Sequence, residues 1–174
     1  MVDSDQFFNI ILVGDNKTGK SSIVSRYTRN FYTEAHNIKN LGKVIVSTFY
    51  HDDFCFTLHF SIFSLHDLQK SKAIHRIECN LRKANVVFAV FDKSRKKTFS
   101  RLKKILSEIQ DKTSNDALII IVGNMCDLES QVSTDEVQEI VLVHQMGYID
   151  VSAQSGEQFE SLCDIVAVRL AGCL

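Results

Sequence analysis

Gly14-Asp15-Asn16-Lys17-Thr18-Gly19-Lys20-Ser21 fits G-x-x-x-x-G-K-[ST], and its setting limits the fold more than any other feature of the chain. Ahead of it runs Phe7-Phe8-Asn9-Ile10-Ile11-Leu12-Val13, which reads as a buried strand. Behind it Ser22-Ile23-Val24-Ser25-Arg26-Tyr27 opens a helix. Two glycines let the intervening backbone curl, so that several N–H groups point inward. The helix N-terminus adds the positive end of its dipole, which makes the concavity a seat for phosphate. In such a loop the residues from Gly14 to Ser22 wrap the phosphates. Lys20 reaches the β- and γ-phosphates as the candidate catalytic cation, and Ser21 offers a hydroxyl to Mg²⁺.

Residues 1–174 suffice for one well-packed α/β domain and fall short of two. A net charge of -1 gives no reason to expect nucleic acid as a partner or bulk attraction to a membrane. No signal peptide and no apolar run of membrane-spanning length is present. Cys55, Cys79, Cys126, Cys163 and Cys173 are scattered without a C-x-x-C pair, as free thiols of a reducing cytosol would be.

Strands and helices alternate along the chain. Val44 to Tyr50 and Cys55 to Phe63 are β-rich runs separated by a hairpin at residues 51–54. Val86 to Phe91 and Ala117 to Val122 are continuous apolar strands, and Tyr148 to Val151 is a short last one. Phe99, Leu102, Ile105, Leu106 and Ile109 make a helical stripe. Thr134 to His144, capped by Ser133 or Thr134, and Phe159 to Leu170 are further helices. The pattern predicts a mostly parallel six-stranded sheet with helices on both faces, the P-loop NTPase arrangement. Ligands of such sheets bind at the carboxyl ends of the strands, where every candidate motif here falls.

After the strand ending at Val122 comes Gly123-Asn124-Met125-Cys126-Asp127, and after Val151 comes Ser152-Ala153-Gln154. With these runs the chain resembles the Ras superfamily of small GTPases, most closely the Rab branch, along essentially its whole length. The family patterns are N-K-x-D and S-A-K. The resemblance implies GDP or GTP with Mg²⁺ as ligands. Asp127 would accept the N1–H and exocyclic N2–H₂ of guanine, donors that adenine lacks there. Asn124 would brace the two loops or reach N7, and the Ala153 N–H would donate to O6. Met125 replaces the lysine whose stem covers the base, and Gln154 the lysine on its other side; a thioether still covers an aromatic face without charge. Tyr32 matches the family aromatic that packs against the base, and reads equally as an ordinary half-buried tyrosine.

The parts that act on the γ-phosphate depart from the family. The switch I match, about 32–45, is Asn40-Leu41-Gly42, which puts Asn40 in place of the metal-ligating threonine. In switch II, about 64–76, the family has D-T-A-G-Q and this chain has Ser64-Leu65-His66-Asp67-Leu68. Ser64 stands at the magnesium-side aspartate, Asp67 at a γ-phosphate-binding glycine, and Leu68 at the glutamine that orients water. No glycine lies between Gly42 and Gly123, so no shift of alignment recovers the missing one. Asn16 and Lys17 occupy positions that many Rabs fill with serine or alanine and then glycine. Lys17 either lies over the phosphates or points its ammonium into solvent.

Lys93, Arg95, Lys96, Lys97, Arg101, Lys103 and Lys104 read first as a solvated helix face, and second as a docking site for an acidic partner or anionic lipid. Ile45 and Phe63 match effector-contacting positions of Rab-like proteins and also read as plain strand residues. Ala171-Gly172-Cys173-Leu174 is not C-a-a-X and lacks the Rab cysteine pair, so either a tail was removed or a lipid anchor is lacking. A cytoplasmic monomer is expected, with peripheral membrane association left open and protein effectors or regulators meeting the switch surface. The expected function is a slow GTPase switch in vesicle traffic, with a non-hydrolysing, nucleotide-stabilised binding module as the alternative. A nucleotide kinase would leave Asn124, Asp127 and Ser152-Ala153 unexplained.

Overall fold

Alternation along Phe7–Gly14 (β1) sends Ile10 and Leu12 to one side of the sheet and Ile11 and Val13 to the other, all of them buried. A strand covered on both faces belongs in the middle of a parallel sheet. The computed structural model, which describes residues 7–30, 40–41, 44–51, 54–68 and 71–172, places β1 there. The other strands are β2 (Asn40–Leu41), β3 (Val44–His51), β4 (Phe54–Ser64), β5 (Val86–Asp92), β6 (Leu118–Asn124) and β7 (Gly147–Asp150), in the order β2-β3-β4-β1-β5-β6-β7. Pairing is antiparallel for β2 with β3 and β3 with β4, and parallel from β4 to β7. Six strands match the expected runs. The two-residue β2, where Asn40 faces Ile45, adds a seventh at the edge.

The helices are α1 (Lys20–Asn30), α2 (Leu65–Leu68), α3 (Ser71–Arg82), α4 (Lys96–Lys103), α5 (Leu106–Lys112), α6 (Thr134–His144) and α7 (Phe159–Ala171). On one face Ile23 and Tyr27 of α1 and Phe159, Leu162, Val166 and Leu170 of α7 pack with Ile10 and Leu12. The Tyr27 ring lies 5.4 Å from those of Phe49 and Phe60 and 5.8 Å from that of Phe159, pinning α1 onto the sheet. On the other face Ile77 and Leu81 of α3, Phe99 and Leu102 of α4, Leu106 and Ile109 of α5 and Val137 of α6 cover Ile11 and Val13. Each such apolar side chain contributes about 1.5–3 kcal/mol on burial.

The stripe from Phe99 to Ile109 is buried at Phe99, Leu102, Leu106 and Ile109 and partly buried at Ile105, but it is not one helix. Ile105 takes φ −118 and ψ 0, which ends α4 and starts α5. Leu102 and Leu106, on either side of the break, are both fully buried. Ser133 caps α6 in a reciprocal box with Glu136. Parallel register sets Gly14 beside Ser64 and Val90, Asp92 beside Asn124, and Gly123 beside Asp150. The expected motifs therefore share one edge of the sheet.

Candidate functional site

The loop from Gly14 to Ser21 is shaped by close approaches that only glycine permits. A Cβ on Gly14 would lie 2.2 Å from the Val90 carbonyl oxygen of β5. Gly19 takes φ +84, and a Cβ there would lie 2.0 Å from Asn124 Nδ2. Lys17 adopts φ 61, the left-handed conformation that glycine takes without strain. Thr18 is fully buried and donates to the Asp15 carbonyl at 3.0 Å. Lys20 folds under the loop, its Nζ donating to the carbonyls of Gly14 at 2.9 Å and Asp15 at 2.6 Å. The ammonium is thus held, almost buried, at the floor of the loop.

The basic cluster after β5 is exposed at Lys96, Lys97, Arg101, Lys103 and Lys104, and several of its cations also bond within the fold. Arg95 Nε bonds Asp92 at 2.6 Å, and its Nη2 donates to the Lys17 carbonyl at 2.6 Å and the Asn16 carbonyl at 3.4 Å. Arg101 Nη1 pairs with Asp15 at 2.6 Å. Lys96 pairs with Glu136 at 2.7 Å, and Lys103 Nζ sits 5.2 Å from the Phe99 ring centroid. Arg95 and Arg101 reach the loop that leaves β1 because α4 begins beside it. Burial pushes the Asp15 carboxyl upward, but the Arg101 hydrogen bond, the Asn16 N–H and the charges of Arg101 and Lys20 outweigh it, holding it below 3.8.

Across from this loop a cavity of about 600 Å³ is lined by Gly19, Ser21, Ser22, Ser25 and Arg26 on one side and Asn124, Met125, Asp127, Ser152, Ala153 and Gln154 on the other. Asn124 joins the two sides. Its Nδ2 donates to the Thr18 carbonyl at 2.9 Å and its Oδ1 accepts the Ala153 N–H at 3.1 Å. The bracing role expected of Asn124 is present, and the N–H expected on guanine O6 is engaged by Asn124. Met125, at φ 62, brings its Cε to 3.8 Å from the Cβ position of Gly19, so the thioether roofs the junction of loop and cavity. Asp127 is exposed at the rim and has no hydrogen bond or ion pair to a described residue. The Ser152 hydroxyl accepts the Ser155 N–H at 2.9 Å, so this buried side chain folds its own loop.

Two supports were not visible in the sequence. Arg26 of α1 donates to the carbonyls of Ala153 at 2.5 Å and Gln154 at 2.6 Å, while its guanidinium carbon stands 6.0 Å from the Phe159 ring centroid. Lys93, 8% exposed, pairs with Asp150, which also accepts the Tyr148 hydroxyl. The Lys93 N–H donates to the Asn124 carbonyl at 3.0 Å, and its carbonyl accepts the Gln131 N–H at 2.8 Å. The only local signal for these cations was their place: just past β5, or on the helix leaving the loop. Burial chiefly, with the nearby acids Glu157, Asp150 and Asp127, pushes the Cys126 thiol up to about 11.

On the other side of Lys20 a second cavity of about 640 Å³ is lined by Asn16, Lys17, Gly19, Lys20, Ser21, Ser22, Ile62, Ser64 and His66. Ser21 and Ser64 meet here as the switch II spacing required. No aspartate or glutamate is among the described lining residues. Mg²⁺ is a hard cation that proteins hold through one or two carboxylates plus substrate phosphates. Ser21 offers the hydroxyl expected for the ion, while the carboxylate part of that donor set is missing among the described lining residues. Tyr32 lies outside the described residues, as do the side chains of Asn40, Asp67 and Leu68. Phe63 is buried, and Ile45 packs partly against the core, so Phe63 is a strand residue of the interior.

The profile of the Ras family matches residues 9–171. The chain is 25% identical over 169 residues to Ras-related protein RabY of Dictyostelium discoideum, covering 96% of this chain and 70% of that one. It is 28% identical over 174 residues to Ras-related protein Rab-1 of Theileria parva, covering 98% and 77%. To Ras-related protein RabC of Dictyostelium discoideum it is 27% identical over 168 residues, covering 95% and 84%. A phosphate-type loop, an Asn124 bridge and an open Asp127 on one sheet edge agree with that match: the chain belongs to the Ras family, as a Rab-like small GTPase.

Proposed function

We propose that residues 1–174 form one G domain that binds GDP and GTP and serves as a regulatory switch in vesicle traffic, with weak intrinsic hydrolysis. The observation that carries this reading is the exposed Asp127 carboxylate, without a partner among the described residues, at the rim of a cavity whose walls Asn124 ties together. The carboxylate accepts N1–H and N2–H₂ of guanine in a charge-assisted pair. The Met125 thioether covers the base where the family lysine stem would lie. Loop N–H groups and the start of α1 receive the phosphates. Lys20, held within the loop by the Gly14 and Asp15 carbonyls and the Thr18 hydroxyl, exchanges part of that bonding for the β- and γ-oxygens when nucleotide enters. Leu68 takes the place of the water-orienting glutamine, so water attack on the γ-phosphorus is poorly aimed. Effectors and regulators meet the switch surface, and membrane contact is peripheral.

Chromatography of nucleotide released from the purified, denatured protein tests the base. Guanine nucleotide is expected, and recovered ATP or ADP would overturn the assignment. The second cavity favours an alternative in which the chain binds GTP and signals by occupancy alone, since Ser64 stands where the family aspartate does. Single-turnover phosphate release separates the two. A rate near the about 10⁻⁴ per second of unassisted family members supports the switch, and no release over days supports the binding module.

A further inference from the structure

We propose that the phosphate end of this site is neutralised by Lys17 and Lys20, and that the chain retains its nucleotide without a divalent cation. The inference rests on the guanine-nucleotide reading above and concerns what balances the charge of the phosphates. The two lysines lie on the wall of the same cavity, beside the Ser21 and Ser64 hydroxyls. Lys20 is fixed by the Gly14 and Asp15 carbonyls. Lys17 is set by a different device. Its backbone is left-handed, and Arg95 grips its carbonyl at 2.6 Å from outside the loop. The backbone at position 17 is therefore fixed while the side chain stays exposed on the cavity wall.

Charge placement around the loop points the same way. The loop's own acid, Asp15, pairs with Arg101, which removes it from competition for the two ammonium groups. The start of α1 adds about half a positive charge. A cavity with a cation-binding carboxylate would attract Mg²⁺ and need it to offset the phosphates. This one has ammonium groups in that role among its described residues, and these repel a divalent ion. Ser64, at the position of the family's magnesium-side aspartate, removes the protein carboxylate that would help the phosphates hold the ion. Cation and nucleotide binding are then weakly coupled, although in linked systems one ligand typically changes the other's affinity about 5- to 150-fold.

The test uses the full chain loaded with fluorescent GDP, with its dissociation followed in excess MgCl₂ and in excess EDTA. The rates in the two buffers are expected to differ by less than about fivefold, and a larger acceleration in EDTA would overturn the inference. Lys17→Gly suits the left-handed backbone at position 17, so it removes charge without straining the loop. It should release GDP in EDTA at least about tenfold faster than the parent and regain a response to Mg²⁺. Equal release by variant and parent in EDTA would also overturn the inference. Ser64→Asp should likewise bring back a response to Mg²⁺. Failure of GDP to bind in either buffer would overturn the guanine reading itself, whereas binding with rapid loss in EDTA overturns only this inference.

Discussion

Replacing Asn124 by aspartate tests whether a single amide holds both halves of the site. The side chain is 2% exposed, donates to the Thr18 carbonyl at 2.9 Å and accepts from the Ala153 N–H at 3.1 Å. Aspartate has the same shape and keeps the acceptor, so the Ala153 bond survives in charge-assisted form. On the Thr18 side a donor becomes an oxygen facing an oxygen. Orphaning one buried carbonyl costs about 1–3 kcal/mol, and burying the new charge adds to that. Burial and the facing carbonyl both disfavour the ionised form, so the introduced carboxyl titrates above its unfolded-chain value. Once protonated, it can donate to Thr18 and restore the bridge. A raised folded-state pKa means the deficit is least below the unfolded value and grows as pH rises through the folded one. Urea unfolding of parent and variant at about pH 5 and about pH 8 reads this directly. We expect a deficit of at least about 2 kcal/mol at the higher pH, smaller by about 1 kcal/mol or more at the lower. A deficit under about 0.5 kcal/mol at both, or one that grows toward acid, would refute the bridge.

Gly19→Ala should destabilise the chain by more than about 2 kcal/mol in the same unfolding assay, because the left-handed backbone is strained and the new methyl meets Asn124. Arg101→Leu should cost less than about 1 kcal/mol, since the arginine is half exposed. Asp15 is held below 3.8, so this pair contributes above the unfolded-state value and is lost as pH falls through the folded one. A double-mutant cycle with Asp15→Asn should accordingly show coupling at neutral pH that fades only as the pH falls through the lowered folded-state value of Asp15. Cys126, its thiol raised to about 11, should alkylate at neutral pH more slowly than the exposed Cys55 and Cys79, as peptide mass spectrometry would show.

Local spacing made much of this site legible. The octet at Gly14 announces its strand and helix, and Asn124, Asp127 and Ser152-Ala153 each follow a recognisable apolar strand. Ser133 and Glu136 reveal a helix start within four residues. The grips on the loops were not legible for a physical reason. Arg95 and Lys17 lie 78 residues apart, Arg26 and Ala153 127, and Arg101 and Asp15 86, so no local pattern marks them. Charge count near Arg95 predicts a solvated face, which Lys96, Lys97, Arg101, Lys103 and Lys104 do present, and is blind to the distant carbonyls that Arg95 meets. The break at Ile105 was hidden for a related reason, since apolar spacing continues across it while the backbone does not.

Arg26 runs from α1 to the Ala153 and Gln154 carbonyls, and Asn124 runs from Thr18 to Ala153, so the two cavities share one frame. A fragment that fills only one cavity gains nothing from the alignment of the other. A molecule spanning both meets walls already in place and loses no further freedom in bringing them together. Guanosine alone and pyrophosphate alone should therefore bind with free energies that sum to less than that of the intact nucleotide, as linked fragments do. The frame acts as a gauge of ligand length, favouring whole nucleotides over nucleosides and free phosphates.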